Sequence, residues 1–262
     1  MKIALHGGTG RMGQAITRLI TAAPDLELVG CACAPDDPAL GRDAGALAGV
    51  GDLGVTASAD VGAALLGADV VIDFSNAHAV ANVVALAVRH GVALMSGTTG
   101  LDASNQALLE KAARQIPVLW APNTSLGVQV LSELVEQALR RLGSDFDVEI
   151  VEVHHRKKAD SPSGTAKRLA DAVRAVRPSM RELHGRDGLV GARTDEEVAV
   201  LGVRGGDVVG DHTVYLLGPG ERIELTHRSH SREMLAHGAL KLARYIVGKQ
   251  PGKLYRIADV LG

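Results

Sequence analysis

Lys2-Ile3-Ala4-Leu5-His6, running into Gly7-Gly8-Thr9-Gly10-Arg11-Met12-Gly13, is the stretch that decides the fold of this chain. The first five residues read as a short apolar strand. After the glycines, Ala15, Ile16, Leu19 and Ile20 recur at helical spacing, so a helix starts there. Gly8, Gly10 and Gly13 fit G-x-G-x-x-G, whose glycines give a tight turn, a close backbone approach to a pyrophosphate and close helix–strand packing. The motif alone says little in a chain with 31 glycines. Its place between a strand and an amphipathic helix separates it from a glycine-rich turn that merely lets a helix pack, and points to a dinucleotide.

The alternation of strand and helix continues to about residue 120. Leu26 to Cys33 reads as a strand, followed by a Pro- and Gly-rich connection from Pro35 to Gly54. Ala68 to Phe74 reads as a buried strand, Ala77 to His90 as a helix, Val92 to Ser96 as a strand, Asp102 to Gln115 as a helix and Pro117 to Trp120 as a short strand. This spacing predicts a Rossmann-type doubly wound parallel sheet, with ligands beyond the carboxyl ends of its strands. The turns found there are Gly7–Gly13, Ser75-Asn76, Gly97-Thr98-Thr99-Gly100 and Pro122-Asn123-Thr124-Ser125. Gly97–Gly100 is an ordinary strand–helix turn by composition, but its place at the ligand edge makes it a cofactor contact.

Past a helix from Gly127 to Leu142, strands dominate: Asp147–His154, Glu197–Val203, His212–Leu217 and Arg222–His227, the last two flanking the hairpin turn Gly218-Pro219-Gly220-Glu221. They predict a second α+β domain with an open mixed sheet. A final helix, Arg232 to Val247, returns to the first domain. The expected division is therefore 1–124 with 231–262 for dinucleotide binding, and 125–230 for substrate binding and oligomerisation. An open sheet face needs covering, so a homo-oligomer formed sheet to sheet is expected.

The second domain also carries His154-His155-Arg156-Lys157-Lys158-Ala159-Asp160-Ser161-Pro162-Ser163-Gly164-Thr165-Ala166. Leu169, Ala170, Val173 and Val176 follow at helical spacing, making Ser163 an N-cap and placing the Gly164 and Thr165 N–H groups at the positive end of a helix dipole. Imidazoles and an ammonium beside an anion cradle suit chemistry on a small carboxylate. A cluster of His and Lys on a loop is more often only solvated. Adjacent residues at a strand end face opposite sides, so the two imidazoles have different roles.

Composition narrows the class. At 262 residues the chain is long enough for a large core; its net charge is −2, charged residues make up 22% and hydrophobic residues 46%, with a mean hydropathy of +0.12. Nothing here fits a nucleic-acid or membrane-surface protein, and no apolar run approaches the ~20 residues of a bilayer span. A strand starting at Lys2 leaves no room for a targeting peptide, so a cytoplasmic location is expected. Cys31 and Cys33 have no nearby partners of metal-site spacing and read as buried thiols; no metal site is expected.

Gly7–Gly13, Gly97–Gly100, Ala121-Pro122-Asn123 and Glu152-Val153-His154-His155 through Ser163-Gly164-Thr165-Ala166 occur in order, followed by Arg204-Gly205-Gly206-Asp207, Asp211-His212-Thr213 and Gly248-Lys249-Gln250-Pro251-Gly252. Over essentially its whole length the chain resembles the 4-hydroxy-tetrahydrodipicolinate reductase (dihydrodipicolinate reductase) family of lysine biosynthesis through diaminopimelate. The His-His to Pro-Ser-Gly-Thr block is the specific part. The resemblance implies hydride transfer from NADH or NADPH to an unsaturated cyclic imine bearing two carboxylates, in a homotetramer. It makes His154 the proton donor and Lys158 the stabiliser of developing charge. His155, Ser163, Gly164 and Thr165 hold the carboxylates, with Thr99 reaching them from the nucleotide domain. Gly8, Thr9, Gly10, Arg11, Met12, Gly13, Phe74, Gly97, Thr98, Thr99, Ala121, Asn123 and Thr124 hold the cofactor.

The chain departs from the family pattern in three places. An acidic residue followed by Arg often follows the second strand, to meet the ribose hydroxyls or a 2′-phosphate. Here Ala34-Pro35 stand there, with Asp36 and Asp37 beyond. Loss of the Arg and the nearby acids favour NADH, while Arg42 and Arg11 are cations that NADPH could use. Thr124 stands where the family commonly has Phe, and His78 or Ala79 where it has Gly. Two other readings of the same residues are a reductase of a different cyclic imine and a catalytically idle nucleotide-binding regulator.

Overall fold

The computed structural model describes residues 1–262, which divide into two units, Met1–Thr124 with Glu233–Gly262 and Ser125–Arg232. The first segment contains β1 (Lys2–His6), α1 (Arg11–Ala22), β2 (Glu27–Ala32), α2 (Ala44–Ala48), β3 (Ala57–Ser58), α3 (Val61–Ala64), β4 (Val70–Asp73), α4 (Val80–His90), β5 (Ala93–Ser96), α5 (Ala103–Ala112) and β6 (Val118–Trp120). The second unit contains α6 (Leu126–Leu142), β7 (Asp147–His154), α7 (Gly164–Val176), β8 (Arg181–Leu183), β9 (Glu197–Arg204), β10 (Gly210–Gly218) and β11 (Glu221–Ser229). The chain then adds α8 (Glu233–Ile246), β12 (Leu254–Tyr255) and α9 (Ala258–Leu261) to the first unit.

The first unit's sheet has the order β12-β6-β5-β4-β1-β2-β3, and all its pairings are parallel. Strand order reverses between β1 and β4, the position at which a doubly wound sheet opens a crevice beyond its strand ends. The glycine loop leaves β1 there. Buried on both faces, the strands are continuous apolar runs: Val70, Val71 and Ile72 of β4 have no exposed surface. The Pro35–Gly54 connection is more ordered than its composition implies. Asp43 caps α2 by accepting from the Gly45 and Ala46 N–H groups, and also takes the Leu53 and Val55 N–H groups, closing the loop on one carboxylate.

The second unit's sheet runs β11-β10-β7-β9-β8, with β10 antiparallel to its neighbours and β7, β9 and β8 parallel. Strand β7 alternates half-buried and buried residues throughout. Val148 and Ile150 pack with Leu131, Val135 and Leu139 of α6 and Leu169 and Val173 of α7. Glu152 and His154 continue that inward face, so two polar side chains occupy the end of an otherwise apolar row. The outward face carries Val151, Val153, Leu201 and Tyr215, all half-buried, and Val203, which is 47% exposed. The β10–β11 hairpin closes on Pro219-Gly220, with Gly220 at a φ of 79°.

Candidate active site

At the end of β7, period-2 alternation turns His154 inward and His155 outward. His154 is 8% exposed and its Nδ1 lies 2.5 Å from Oε2 of Glu152. Glu152 is fully buried and meets four donors. Besides His154, Arg204 donates from both terminal nitrogens, at 2.8 Å to each oxygen, and the Ser163 N–H donates to Oε1 at 3.1 Å. Burial raises the Glu152 carboxyl, but the hydrogen bonds from Arg204 and His154 outweigh it and hold it below its ordinary range. Burial draws His154 below the usual histidine range; Glu152 opposes this, while the charges of Lys158 and Arg204 add to it.

Ser163 is the N-cap of α7. Its Oγ accepts from the Ala166 N–H at 3.1 Å and lies 3.0 Å from Nε2 of His212. His212 packs edge-on to His154 with ring centroids 5.1 Å apart. Burial first, then the neighbouring His154, pushes it down to about 3, so it is neutral at working pH. Its Nδ1 is buried without a partner. Gly164 opens the helix onto free space, since a Cβ built there meets nothing within 4 Å. The α7 dipole thus presents its positive end beside His154. Lys158 is held by Asp160 at 2.8 and 2.9 Å, so its ammonium comes with a carboxylate that an incoming anion would replace. His155 accepts at Nε2 from Arg232 at 2.9 Å, adding a cation to this edge.

In the first unit, Gly7 carries the positive φ, 75°, so the tight turn falls one residue before the motif's first glycine. Gly8 is required for space: a Cβ there would lie 2.5 Å from Sγ of Cys31. A Cβ on Gly13 would lie 2.2 Å from the Gly8 carbonyl oxygen, which packs α1 directly on the loop. Helix α1 starts after Gly10 with no side-chain cap, leaving its N-terminus as a ready anion site. Asp37 accepts from Thr9 Oγ1 at 2.6 Å and from the Ala39 N–H at 2.8 Å; these bonds hold its carboxyl below the usual range. An ionised acid therefore stands against the glycine loop although Ala34-Pro35 occupy the expected place.

Other cofactor candidates divide by orientation. Thr98 is 2% exposed and its Oγ1 donates to Asp73, which also accepts from Ser75 and Ser96 and pairs with His6. The Phe74 ring lies against Gly97, where a Cβ would sit 2.3 Å from it. Thr124 is 1% exposed and donates to the Leu235 carbonyl at 2.7 Å. The side chains of Thr98 and Thr124 are therefore turned into the protein, and only their backbone can face a ligand. Thr99, Gly10 and Arg11 are exposed, Thr9, Met12 and Asn123 are partly exposed, and Ala121 is buried. Cys31 and Cys33 are free, buried thiols; burial raises Cys31 to about 12. No group of His, Cys, Asp and Glu has metal-binding geometry.

Sequence reasoning gave no role to Glu152, Arg204, His212 or Arg232. For Glu152 a signal existed, because position i−2 on a strand shares the face of His154. Arg204 and His212 reach the site through register across the sheet, where Arg204 pairs with His154 and His212 with Glu152, whereas Arg232 lies beyond β11 and meets His155 from outside the sheet.

Residues 1–124 match the family model for the dihydrodipicolinate reductase N-terminus, and residues 127–261 the model for its C-terminus. The chain belongs to the dihydrodipicolinate reductase family. Among curated relatives, the 4-hydroxy-tetrahydrodipicolinate reductase of Anaeromyxobacter sp. (strain Fw109-5) is 48% identical over 265 residues, covering 100% of this chain and 98% of the relative. That of Geotalea daltonii is 44% identical over 266 residues, with 100% and 99% covered. Among solved structures, the dipicolinate-bound dihydrodipicolinate reductase of Paenisporosarcina sp. TG-14 aligns with a TM-score of 0.78 at 23% identity, over 98% of this chain and 97% of that one. The family resemblance drawn from the motifs is confirmed, and the chain is a nicotinamide-dependent oxidoreductase with a doubly wound nucleotide-binding sheet.

Proposed function

We propose that the protein reduces 4-hydroxy-tetrahydrodipicolinate, or the dihydrodipicolinate formed from it by loss of water, to tetrahydrodipicolinate with NAD(P)H in lysine biosynthesis. The observation that carries this reading is the juxtaposition of the His154 imidazole with the α7 N-terminus. One is a proton source and the other a carboxylate site. The family membership supplies the substrate class.

The glycine loop fits a dinucleotide: Gly8 and Gly13 leave no room for a Cβ, and the α1 N-terminus has no side-chain cap. Gly8, Thr9, Gly10, Arg11, Met12 and Gly13 would hold the pyrophosphate end. Phe74, Gly97, Thr98, Thr99, Ala121, Asn123 and Thr124 would line the remainder, the two inward threonines through their backbone. A bound nicotinamide supplies the hydride. His155, Ser163, Gly164 and Thr165 hold the two substrate carboxylates. His154 gives its proton to the carbon that becomes electron-rich as hydride adds to the conjugated imine. Lys158 exchanges Asp160 for the substrate and steadies the negative charge.

A dianion beside His154 favours the imidazolium, so substrate binding opposes the downward pull of burial on the acid. The fixed, ionised Asp37 offers acceptors to ribose hydroxyls and repels a 2′-phosphate, which favours NADH over NADPH. The half-buried outward face of the second unit's sheet is the surface through which a homotetramer assembles. No helix is long and apolar enough to cross a membrane, and a cytoplasmic location accords with the biosynthetic role.

The test is a coupled assay in which pyruvate, aspartate semialdehyde and a dihydrodipicolinate synthase supply the substrate, with NADH and NADPH oxidation followed in parallel. Rapid oxidation, faster in kcat/KM with NADH, is the expected result. Folded protein that binds a dinucleotide and oxidises neither would overturn the assignment.

A further inference from the structure

Glu152 is the best-satisfied buried charge in the second unit, and no step of the chemistry above uses it. We propose that Glu152 and Arg204 form a charge pair that positions His154, fixing which of its nitrogens carries the transferable proton and balancing how readily it holds that proton. The inference rests on the reading of His154 as proton donor.

Four donors, two from Arg204 and one each from His154 and the Ser163 N–H, fill the acceptor sites of a fully buried carboxylate. So furnished, Glu152 stays ionised and can only accept. The His154 nitrogen facing it must therefore carry hydrogen in both the neutral and the charged ring. Nδ1 is thus committed to Glu152, and the proton that leaves is the one on Nε2. Glycine at 210 keeps that edge clear, because a Cβ there would lie 2.8 Å from Nε2. Glycine at 202 makes room chiefly for Ser161, whose Oγ would lie 2.3 Å from a Cβ there, and also leaves space beside the pair, at 3.2 Å from Oε1 of Glu152 and 3.4 Å from Arg204.

The groups facing His154 act in opposite senses. Glu152 favours the imidazolium, whereas Lys158 and Arg204 disfavour it. His212 presents a neutral ring edge from β10, and Asp160 is occupied by Lys158. Arg204 also donates to the Asp160 carbonyl at 2.7 Å, so one guanidinium fastens the acid's partner to the loop carrying Lys158. A purely structural ion pair joining β7 to β9 would support folding without caring about the charge on His154.

The two roles separate in an experiment that needs no substrate. The His154 ring is titrated by carbon–proton NMR at its ε1 position in the wild type, Glu152→Gln and Arg204→Met, with the signal assigned from His154→Asn. Glu152→Gln keeps an acceptor but loses the charge, and its midpoint is expected at lower pH. Arg204→Met removes an opposing cation, and its midpoint is expected at higher pH. The alkaline limb of kcat/KM is expected to move in the same senses, so at a pH above it Glu152→Gln loses about tenfold or more. Midpoints that stay in place, or that both move the same way in folded protein, would overturn the proposal. If Glu152→Gln fails to fold, Arg204→Met decides by the direction of its shift alone. A wild type with no turnover defeats the functional reading and leaves the titration result standing; turnover with unmoved midpoints defeats only this inference.

Discussion

Ser163→Ala tests how the second unit's site is built, because one hydroxyl serves two buried partners. It removes the N-cap acceptor of the Ala166 N–H, a loss of about 1 kcal/mol, within a usual range of about 0.5–2. It also strands Nε2 of His212, 3% exposed and already lacking a partner at Nδ1, which costs about 1–3 kcal/mol. The sum is about 2–4 kcal/mol, close to what buried hydrogen-bond losses produce in other proteins. Hydrogen exchange of peptides from β7 and α7 reports it without requiring the whole chain to unfold as one unit. Protection is expected to fall by about 30-fold or more, at about 1.4 kcal/mol per tenfold. Adding His212→Gln should cost about 1 kcal/mol less than the sum of the single losses, since the two side chains share one bond. Protection within about threefold of wild type, or strict additivity with His212→Gln, would refute the shared-hydroxyl reasoning.

Gly13→Ala places a methyl carbon where the Gly8 backbone now lies and should abolish measurable dinucleotide binding while leaving exchange protection of the second unit unchanged; fluorescence titration with NADH checks it. Asp37→Asn keeps the Thr9 contact but removes the charge, and should shift the NADH-to-NADPH ratio of kcat/KM toward NADPH by about tenfold, read in parallel progress curves. His212 is depressed to about 3 in the folded chain against an ordinary value of 6.5, so the unfolded chain binds the extra proton between those values and stability falls as pH drops through that window. His212→Gln should flatten this fall in urea midpoints measured from pH 7 to 4; an unchanged slope would show that other groups cause it.

Strand β7 was legible at both ends because its alternation spans eight residues, Asp147 to His154, with no glycine or proline to interrupt it. The Ser163 cap was legible because a capping residue before an apolar-periodic run has a local cause. Helices α2 and α3 were not, since four or five residues of Ala, Gly, Val and Leu carry no period, and the carboxylates of Asp43 and Asp60 that cap them look like ordinary loop acids. The short strands β8 and β12 gave no pattern for the same reason. The site's missing members are a different matter. Arg204, His212 and Gly210 approach His154 only because β9 and β10 flank β7 in a particular register. Thr98 and Thr124 look like ligand contacts in sequence, yet the buried Asp73 carboxylate and the Leu235 carbonyl hold their hydroxyls instead.

The most direct test of the account compares wild type with His154→Ala, measuring kcat and NADH affinity on the same preparations. Loss of a general acid should lower kcat by about 10²–10⁴ and leave NADH binding unchanged, because the site proposed for the nucleotide is the other unit's glycine loop. A variant that turns over like wild type would remove His154 from the proton-donor role and with it the mechanism argued from this site.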